Sequence, residues 1–266
     1  MPNTIINRRI VLSSVVGLLP ETKAWLAVLP SKPNTLVINS VNNFIRAAKA
    51  NGYWTLLDRL VLFAQDKQVN AVYSIVNPTS TPCTEVNSPT WGAYIGYTGN
   101  GSNMYINTNL APSNGVNYTL NSSTAIIYSG TNSAINSLDF GCSNAATTNY
   151  LGFWPKYTDN KSYCYVNEGT TGVNGSITSS LGLFQISRTA SNVVTVYQNG
   201  TSYLNGTSTS TGRCTVNCFV LARNNNGTPD LFSSRRISLF ILAAGNITAS
   251  TINSDIVTYL QTPLGF

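Results

Sequence analysis

The stretch "VTVYQNGTSYLNGT", residues 194–207, decides the fold class. Apolar and polar residues alternate on both sides of Asn199-Gly200, which is typical of two half-buried β-strands. Both central residues of a type I′ turn need a positive φ, and Asn-Gly adopts that conformation readily. The stretch therefore predicts a β-hairpin that turns at Asn199-Gly200, and nothing in it requires catalytic chemistry.

The composition of the whole chain favours the same fold class. Only 9% of the 266 residues are charged, against about 25% in an average soluble domain. The surface must therefore be covered mostly by Asn, Ser and Thr, which suit strands and turns better than helices. Because 42% of the residues are hydrophobic and 10% are aromatic, the chain has enough to bury, and we expect a folded, mainly β protein.

From about residue 69 onward, short apolar runs alternate with Gly, Asn, Ser and Pro at the spacing of a sandwich or barrel. So many short strands fit two stacked antiparallel sheets better than one open sheet. The strands are expected near 83–87, 92–98, 103–109, 117–120, 124–129, 136–142, 150–154, 163–167, 183–188, 193–198, 202–205, 215–224 and 235–244.

Two regions show helical spacing instead. Residues 35–68 predict two short helices separated at Gly52, and the sequence after Gly245 predicts a short C-terminal helix capped by Thr248 or Ser250. The second of the two short helices depends on the apolar spacing of Trp54, Leu57, Leu60, Val61 and Ala64.

Residues 1–34 contain four prolines and cannot form one long helix. Trp25, Leu26 and Leu29 then need a surface to cover, either on the chain's own domain or on a neighbouring subunit. We expect the second arrangement, an extended docking arm over 1–34, followed by a helical segment over 35–68 and a sandwich over 69–266.

Four stretches resemble a widespread family of phage and prophage structural proteins. They are "NNFIRAAKANGYWTLLDRLVLFAQDKQ" (42–68), "NSPTWGAYIGYTGNGSNMYINTNLAPS" (87–113), "LGLFQISRTASNVVTVYQNGT" (181–201) and "RRISLFILAAGNITASTINSDIVTYLQTPLG" (235–265). The resemblance covers roughly residues 40–266. It implies a concanavalin A-like (laminin-G-like) antiparallel jelly-roll sandwich, closed by a final helix, in a tail-fibre, receptor-binding or other virion component.

The residue inventory argues against catalysis. The chain has no histidine, which excludes Ser-His-Asp and Cys-His arrangements and removes the usual ligand of catalytic zinc. A glycosidase needs two carboxylates flanking the scissile bond. Asp159 and Glu168 could approach across a hairpin, although solvated loop charges are the expected reading. The Asp and Asn residues of 158–160 and 224–230 lack the spacing of a calcium loop, so we expect no catalytic residue, metal or cofactor.

Charge and cysteine usage add further expectations. The net charge of +6 is scattered rather than gathered into a basic stripe, so nucleic acid is not an expected partner. No run approaches the ~20 apolar residues that span a bilayer, so no membrane insertion is expected. Five cysteines cannot all pair within one chain, and buried free thiols are expected, with a Cys214–Cys218 disulfide as the alternative.

The remaining candidate is a carbohydrate site. Aromatic faces flanked by amide and carboxylate groups suit sugar recognition, and such residues cluster in "GFWPKYTDNKSYCYVNEG" (152–169). We expect Trp154, Tyr157, Asn160 and Tyr163 to bind a ligand, because Pro155 interrupts the strand and frees the neighbouring side chains from the core. The alternative is that alternating aromatic residues fill the sandwich core, as expected for Trp91 and Tyr94.

Together these observations predict a non-enzymatic virion component, made in the host cytoplasm. Its expected partners are other virion proteins, further copies of itself and a host-surface glycan. Two alternatives remain open at this stage: a capsid decoration or head-fibre protein with a purely structural role, and a glycan-cleaving enzyme of the same fold.

Overall fold

The structure, a computed structural model, describes residues 17–145 and 148–266. Within these ranges two mainly antiparallel sheets stack into a β-sandwich, with helices at both ends of the chain sequence. The helices are α1 Pro20–Val28, α2 Thr35–Ala50, α3 Ala249–Ile256 and α4 Thr262–Leu264. A π-helical stretch, Val257–Gln261, joins α3 to α4. The mainly β sandwich and the C-terminal helix predicted from sequence are confirmed.

The first sheet has eight strands among the described residues, in the order β13-β12-β11-β6-β17-β4-β3, with β1 also paired to β17. Its strands are β1 Leu57–Leu62, β3 Thr90–Gly92, β4 Gly96–Thr98, β6 Ser123–Ser129, β11 Gly182–Ala190, β12 Val193–Gln198, β13 Thr201–Thr207 and β17 Arg236–Ala243.

The second sheet has nine strands among the described residues, in the order β10-β9-β8-β7-β14-β5-β2, with β15 paired in parallel to β7 and antiparallel to β16. Its strands are β2 Thr84–Val86, β5 Tyr105–Asn107, β7 Phe140–Ser143, β8 Tyr150–Trp154, β9 Lys161–Glu168, β10 Val173–Ser176, β14 Phe219–Val220, β15 Arg223–Asn225 and β16 Thr228–Asp230.

The fold has two apolar cores. One lies between the sheets and takes alternate residues of each strand, such as Ile127 and Phe240 from the first sheet and Leu151 and Phe153 from the second. The other lies between the outer face of the first sheet and the helices. The first sheet is therefore buried on both faces.

The hairpin predicted at Asn199-Gly200 is confirmed. β12 and β13 pair antiparallel with one irregularity between Val196 and Tyr197, Gln198 lies opposite Thr201, and the two residues between them have φ values of 50° and 80°. A second Asn-Gly pair, Asn226-Gly227, makes the same kind of turn between β15 and β16, with φ values of 50° and 97°. Residues 224–230, whose Asp and Asn residues lack the spacing of a calcium loop, thus belong to a hairpin.

The helix expected over residues 54–64 is wrong. After a short 3₁₀ turn at Trp54–Leu56, the chain forms β1, which pairs with β17. All six residues of β1 are buried, because Val61 faces the core between the sheets while Leu60 and Leu62 face the helices. A strand buried on both faces loses the period of two, and its apolar run then mimics a helix.

Smaller differences concern strand bounds. The run expected at 92–98 is the tight β3–β4 hairpin, and 215–224 divides into β14 and the start of β15. Residues 117–120 are not a strand; the Asn117 and Tyr118 backbone amides instead donate to the Asp58 carboxylate, at 2.9 and 2.7 Å.

The extended arm expected over 1–34 is also wrong where the structure describes it; residues 1–16 lie outside the described ranges. Pro20, in the first helical position, starts α1. Trp25 is fully buried in the core under the helices, and Leu26 and Leu29 pack against the same core. The apolar cluster is covered by its own chain because α2 offers the adjacent apolar surface.

Candidate functional site

The aromatic candidates lie on the outer face of the second sheet. In β8, Leu151 and Phe153 point into the core between the sheets, so Tyr150 and Trp154 point outward. The antiparallel pairing with β9 places Trp154 opposite Tyr163. Tyr165 lies opposite Gly152, which puts its ring between the two β8 aromatics. The register between the two strands thus brings side chains of β8 and β9 together on one face.

These rings form a continuous cluster. Tyr150 and Tyr165 stack with centroids 4.5 Å apart and an interplanar angle of 21°. Trp154 meets Tyr165 edge-on at 5.6 Å and Tyr163 at 6.5 Å, while Tyr157 meets Tyr163 at 5.5 Å. Offset and edge-to-face pairs of this kind hold aromatic rings in fixed orientations. The cluster is therefore a preorganised surface.

Gly152 makes room for this arrangement. A Cβ at that position would lie 2.6 Å from Cε2 of Tyr150 and 2.8 Å from Cδ2 of Leu138. Any other residue would push the Tyr150 ring away from the sheet and break its stack with Tyr165. Arg223 lies at the far end of the cluster, with its guanidinium carbon 5.4 Å from the Tyr150 ring centroid. Its Nε and Nη2 atoms both donate to the Asp230 carboxylate.

The cluster borders a depression of about 300 Å³, which we call the aromatic depression. Its lining side chains are Asn136, Trp154, Tyr157, Tyr163 and Tyr165. Its volume is at the lower end of the range for small-molecule sites. The indole N–H of Trp154 is buried and has no acceptor within the described part of the chain. The lining therefore offers aromatic faces together with the Asn136 side-chain amide and tyrosine hydroxyls.

A buried ion pair holds the loop that carries Tyr157. Arg235 and Asp139 are both fully buried, with Nη1 and Oδ1 3.0 Å apart. The other terminal nitrogen of Arg235 donates to the Lys156 carbonyl at 2.7 Å and to the Ser133 carbonyl at 2.9 Å. Burial raises the pKa of Asp139 even though Arg235 lies beside it. The pair fixes the two loops that flank the aromatic depression.

Asp159 provides a charged acceptor at the rim. Its Oδ2 accepts a 2.8 Å hydrogen bond from the Tyr163 hydroxyl, and its Oδ1 accepts one from the Lys161 amide at 2.9 Å. The hydrogen bond from Tyr163 is the main reason that the pKa of Asp159 lies below its ordinary value. The same bond raises the pKa of Tyr163. At neutral pH this pair is a carboxylate beside a protonated phenol.

Of the four ligand-binding residues expected from sequence, the structure brings three together. Trp154, Tyr157 and Tyr163 line the aromatic depression, whereas Asn160 lines a neighbouring one. Tyr150 and Asn136 did not emerge as candidates from the sequence. The alternation of β8 was a usable signal for Tyr150, but Asn136 joins the site only through the tertiary fold.

The nine carboxylates are dispersed, and each has a partner. Asp159 precedes β9 and Glu168 is its last residue, so the two are separated by the whole strand, about 23 Å of extended chain at ~3.3 Å per residue. They do not approach each other as the sequence had allowed. Glu168 is buried rather than solvated, and burial raises its pKa to about 7. The others bind partners elsewhere: Glu21 to Lys49, Asp58 to the 116–118 amides, Asp66 to the Asn34 amide, Glu85 to Tyr97, Asp139 to Arg235, Asp230 to Arg223 and Asp255 to Tyr53.

The described ranges hold neither a candidate metal centre nor a disulfide. Residues 17–145 and 148–266 contain no group of three His, Cys, Asp or Glu side chains placed to hold a metal ion. All five cysteines are buried free thiols, so that expectation is confirmed and the Cys214–Cys218 disulfide is not formed. None of the helices in these ranges is both long and apolar enough to cross a membrane.

Comparisons with known proteins support the fold. No protein-family model matches the chain, and no curated protein matches its sequence. Among solved structures, the chain is similar to a Trypanosoma rangeli sialidase mutant displaying trans-sialidase activity, at 10% identity and a TM-score of 0.51, covering 85% of this chain and 39% of that one. It is also similar to the binding domain of botulinum neurotoxin serotype D, at 11% identity and a TM-score of 0.50, covering 78% and 51%.

A third similarity is weaker in superposition but matches a whole domain. Domain 4 of an extracellular arabinanase from Geobacillus stearothermophilus, in complex with arabinotriose, has 16% identity and a TM-score of 0.45, covering 75% of this chain and 97% of that one. The chain spans about two fifths of the sialidase and half of the toxin domain. At these identities the similarity shows a β-sandwich fold and nothing further.

Proposed function

We propose that this chain is a carbohydrate-binding β-sandwich of the concanavalin A-like jelly-roll type, displayed on a phage particle and acting without catalysis. The observation that carries the proposal is the aromatic depression. It combines partly exposed rings of Trp154, Tyr157 and Tyr163 with the exposed Asn136 side chain and a carboxylate acceptor at the rim.

This combination suits a sugar better than other ligands. A sugar ring has an apolar C–H face that packs on an aromatic side chain, and its hydroxyls need donors and acceptors at the edge. The aromatic depression supplies both, while its lining side chains include no cation for a phosphate. A shallow site of this size holds one or two sugar rings, so we expect weak affinity for a single site.

Display in many copies overcomes weak affinity. When several copies engage one surface, each later contact is effectively intramolecular, and the overall avidity exceeds single-site affinity by about 10²–10⁴-fold. The resemblance of residues 42–68, 87–113, 181–201 and 235–265 to phage and prophage structural proteins supports a virion as the scaffold for that display.

A glycan array with the protein coupled in multiple copies to beads tests the binding function. We expect the wild-type chain to bind a subset of oligosaccharides and Trp154→Ala to lose at least about 30-fold in apparent affinity, as removal of a central aromatic anchor costs ≥ 2 kcal/mol. Trp54→Ala is the matched control, because Trp54 is a partly exposed tryptophan on the helical side. Equal binding by both variants, or none by the wild type, contradicts the proposal.

Two further measurements test the display on a particle and the absence of catalysis. Particles purified from the strain that carries the gene are expected to contain the chain by mass spectrometry, and its presence only in the soluble fraction contradicts a virion role. Oligosaccharides that bind are expected to keep their chain length after prolonged incubation. Particle association without glycan binding would support a purely structural decoration protein instead, and shortening of the oligosaccharides would support an enzyme.

A further inference from the structure

A second depression lies next to the aromatic depression. It has a volume of about 340 Å³, and we call it the polar depression because most of its lining groups are amides, hydroxyls and a carboxylate. The lining residues are Asp159, Asn160, Ser176, Ile177, Thr178, Gln198 and Tyr203. Taken together, the two depressions reach well into the size range of small-molecule sites.

The turn formed by residues 157–161 is the wall between the two depressions. It is closed by hydrogen bonds from the Tyr157 amide to the Lys161 carbonyl, at 2.7 Å, and from the Asn160 amide to the Tyr157 carbonyl, at 3.0 Å. Tyr157 lines one side and Asn160 the other. The Asp159 carboxylate, which lines the polar depression, accepts its hydrogen bond from Tyr163 of the aromatic depression.

The groups around the polar depression are fixed by the fold. The Gln198 side-chain amide donates to the Ser179 carbonyl at 3.1 Å and to the Leu181 carbonyl at 2.9 Å. The Tyr203 hydroxyl lies 3.0 Å from Ser162 Oγ. Their orientations are set before a ligand arrives, which reduces the entropy lost on binding.

Charge indicates which sugars fit. Among the lining residues of both depressions, Asp159 is the one that carries a charge. The ammonium of Lys156, on the flank, donates to the Thr178 carbonyl at 2.9 Å, and the Lys161 ammonium lies near Asp159 without lining either depression. Recognition of a sugar carboxylate generally uses a guanidinium or ammonium that faces the ligand. Here a carboxylate lies at the shared wall instead, and it disfavours uronic and sialic acids.

We propose that the two depressions form one extended site that binds a neutral oligosaccharide across the turn of residues 157–161. One end of the ligand packs on Trp154 and Tyr163, and hydroxyls of the next part of the chain pair with the Asn160 side-chain amide and donate to the side-chain oxygen of Gln198. This inference rests on the proposed carbohydrate-binding function and specifies the length and charge of the ligand.

The test compares ligand length and charge by calorimetry. The probes are neutral gluco-, galacto- and arabino-oligosaccharides of two to six units and oligogalacturonates of the same lengths. For the neutral class that binds, we expect affinity to rise with length as the second depression fills. We expect the oligogalacturonates to bind at least about tenfold more weakly.

The Asn160→Gly variant measures the contribution of the polar depression alone, because Asn160 lines that depression and not the aromatic one. Asn160 has a φ of 61°, which glycine adopts without strain, so the turn keeps its conformation while the amide is removed. Loss of hydrogen bonds to a ligand of this kind weakens affinity about three- to tenfold. We expect that loss for the hexasaccharide and no change for the disaccharide. Asn226→Gly is the matched control, an exposed asparagine with a φ of 50° that lines neither depression.

The outcomes distinguish failure of the extended site from failure of the proposed carbohydrate-binding function. If Trp154→Ala abolishes binding but affinity is independent of length and Asn160→Gly binds as the wild type does, the extended site is wrong and the carbohydrate function stands. Preference for oligogalacturonates also overturns the inference. If no probe binds the wild-type chain, the proposed function itself fails.

Discussion

The outer faces of the two sheets differ in their residue types and in what covers them. On the first sheet, Ile126, Leu239 and Ile241 point outward and are buried beneath the helices. On the second sheet, Trp154, Tyr163 and Tyr165 point outward and keep part of their surface in solvent. The described helices contribute to the core over the first sheet. Apolar residues on that side are buried within the fold, whereas the aromatic residues on the second sheet keep part of their surface free.

The largest expected effect is on the free energy of unfolding, and it differs between the helical side and the open face. Trp25 is fully buried under the helices, so Trp25→Ala should lower the free energy of unfolding by about 3–5 kcal/mol. Trp154→Ala should lower it by about 1 kcal/mol, because part of that side chain is already in solvent. Urea denaturation of the two variants checks this, and equal losses would mean that Trp154 is a core residue like Trp25.

The second expected effect concerns the buried carboxylate at the end of β9. The pKa of Glu168 is raised to about 7 in the folded chain, against 4.5 for an ordinary glutamate. Between these values the folded state holds more protons than the unfolded state, so stability falls as the pH rises from 4.5 to 7. Glu168→Gln should remove that slope and stabilise the chain above pH 7 by about 1–3 kcal/mol.

Denaturation curves at pH 5 and pH 8 measure this effect. The helical side offers the control: Asp255, in α3, is bound by the Tyr53 hydroxyl at 2.7 Å and by the Asn51 side-chain amide at 2.8 Å, so Asp255→Asn should lose stability rather than gain it. An unchanged pH slope in Glu168→Gln would show that another group is responsible.

The smallest expected effect compares the two Asn-Gly hairpins. Gly200 and Gly227 have φ values of 80° and 97°, so alanine is strained by about 1–2 kcal/mol at either position. Beyond that strain, a Cβ at Gly200 would lie 3.1 Å from Cα of Ser250 in α3, whereas a Cβ at Gly227 would meet nothing within 4 Å. Gly200→Ala should therefore destabilise the chain by about 1 kcal/mol more than Gly227→Ala. Thermal unfolding of both variants checks the difference, and a reversed order would contradict the packing of α3 on this hairpin.

The sequence predicted those parts of the fold whose signals are local. The β12–β13 hairpin followed from Asn199-Gly200, and the β8 and β12 bounds agree with the expected 150–154 and 193–198. β1 was missed because burial on both faces removes alternation, and β10, "VNGS", because it is short and polar. Burial on two sides is a property of the tertiary structure, which a local pattern does not contain.

The candidate site divides in the same way. Trp154, Tyr157 and Tyr163 were accessible to sequence reasoning because they lie within ten residues of one another. The stack of Tyr150 on Tyr165 depends on the register between β8 and β9, which includes a bulge between Tyr150 and Leu151. The support of the Tyr157 loop by Arg235 and Asp139 depends on residues far apart in the chain. Neither the stack nor this loop support can be predicted from a local sequence pattern.

The most direct test of the difference between the two faces is ¹⁹F NMR of the chain labelled with 5-fluorotryptophan. Its four tryptophans include Trp25 beneath the helices and Trp154 on the open face, and single Trp→Phe variants assign the resonances. On titration with the oligosaccharide that binds best, the Trp154 resonance should shift in a saturable manner while the Trp25 resonance stays unchanged. A saturable shift of Trp54 or Trp91 with Trp154 unaffected would place the ligand elsewhere and contradict the account.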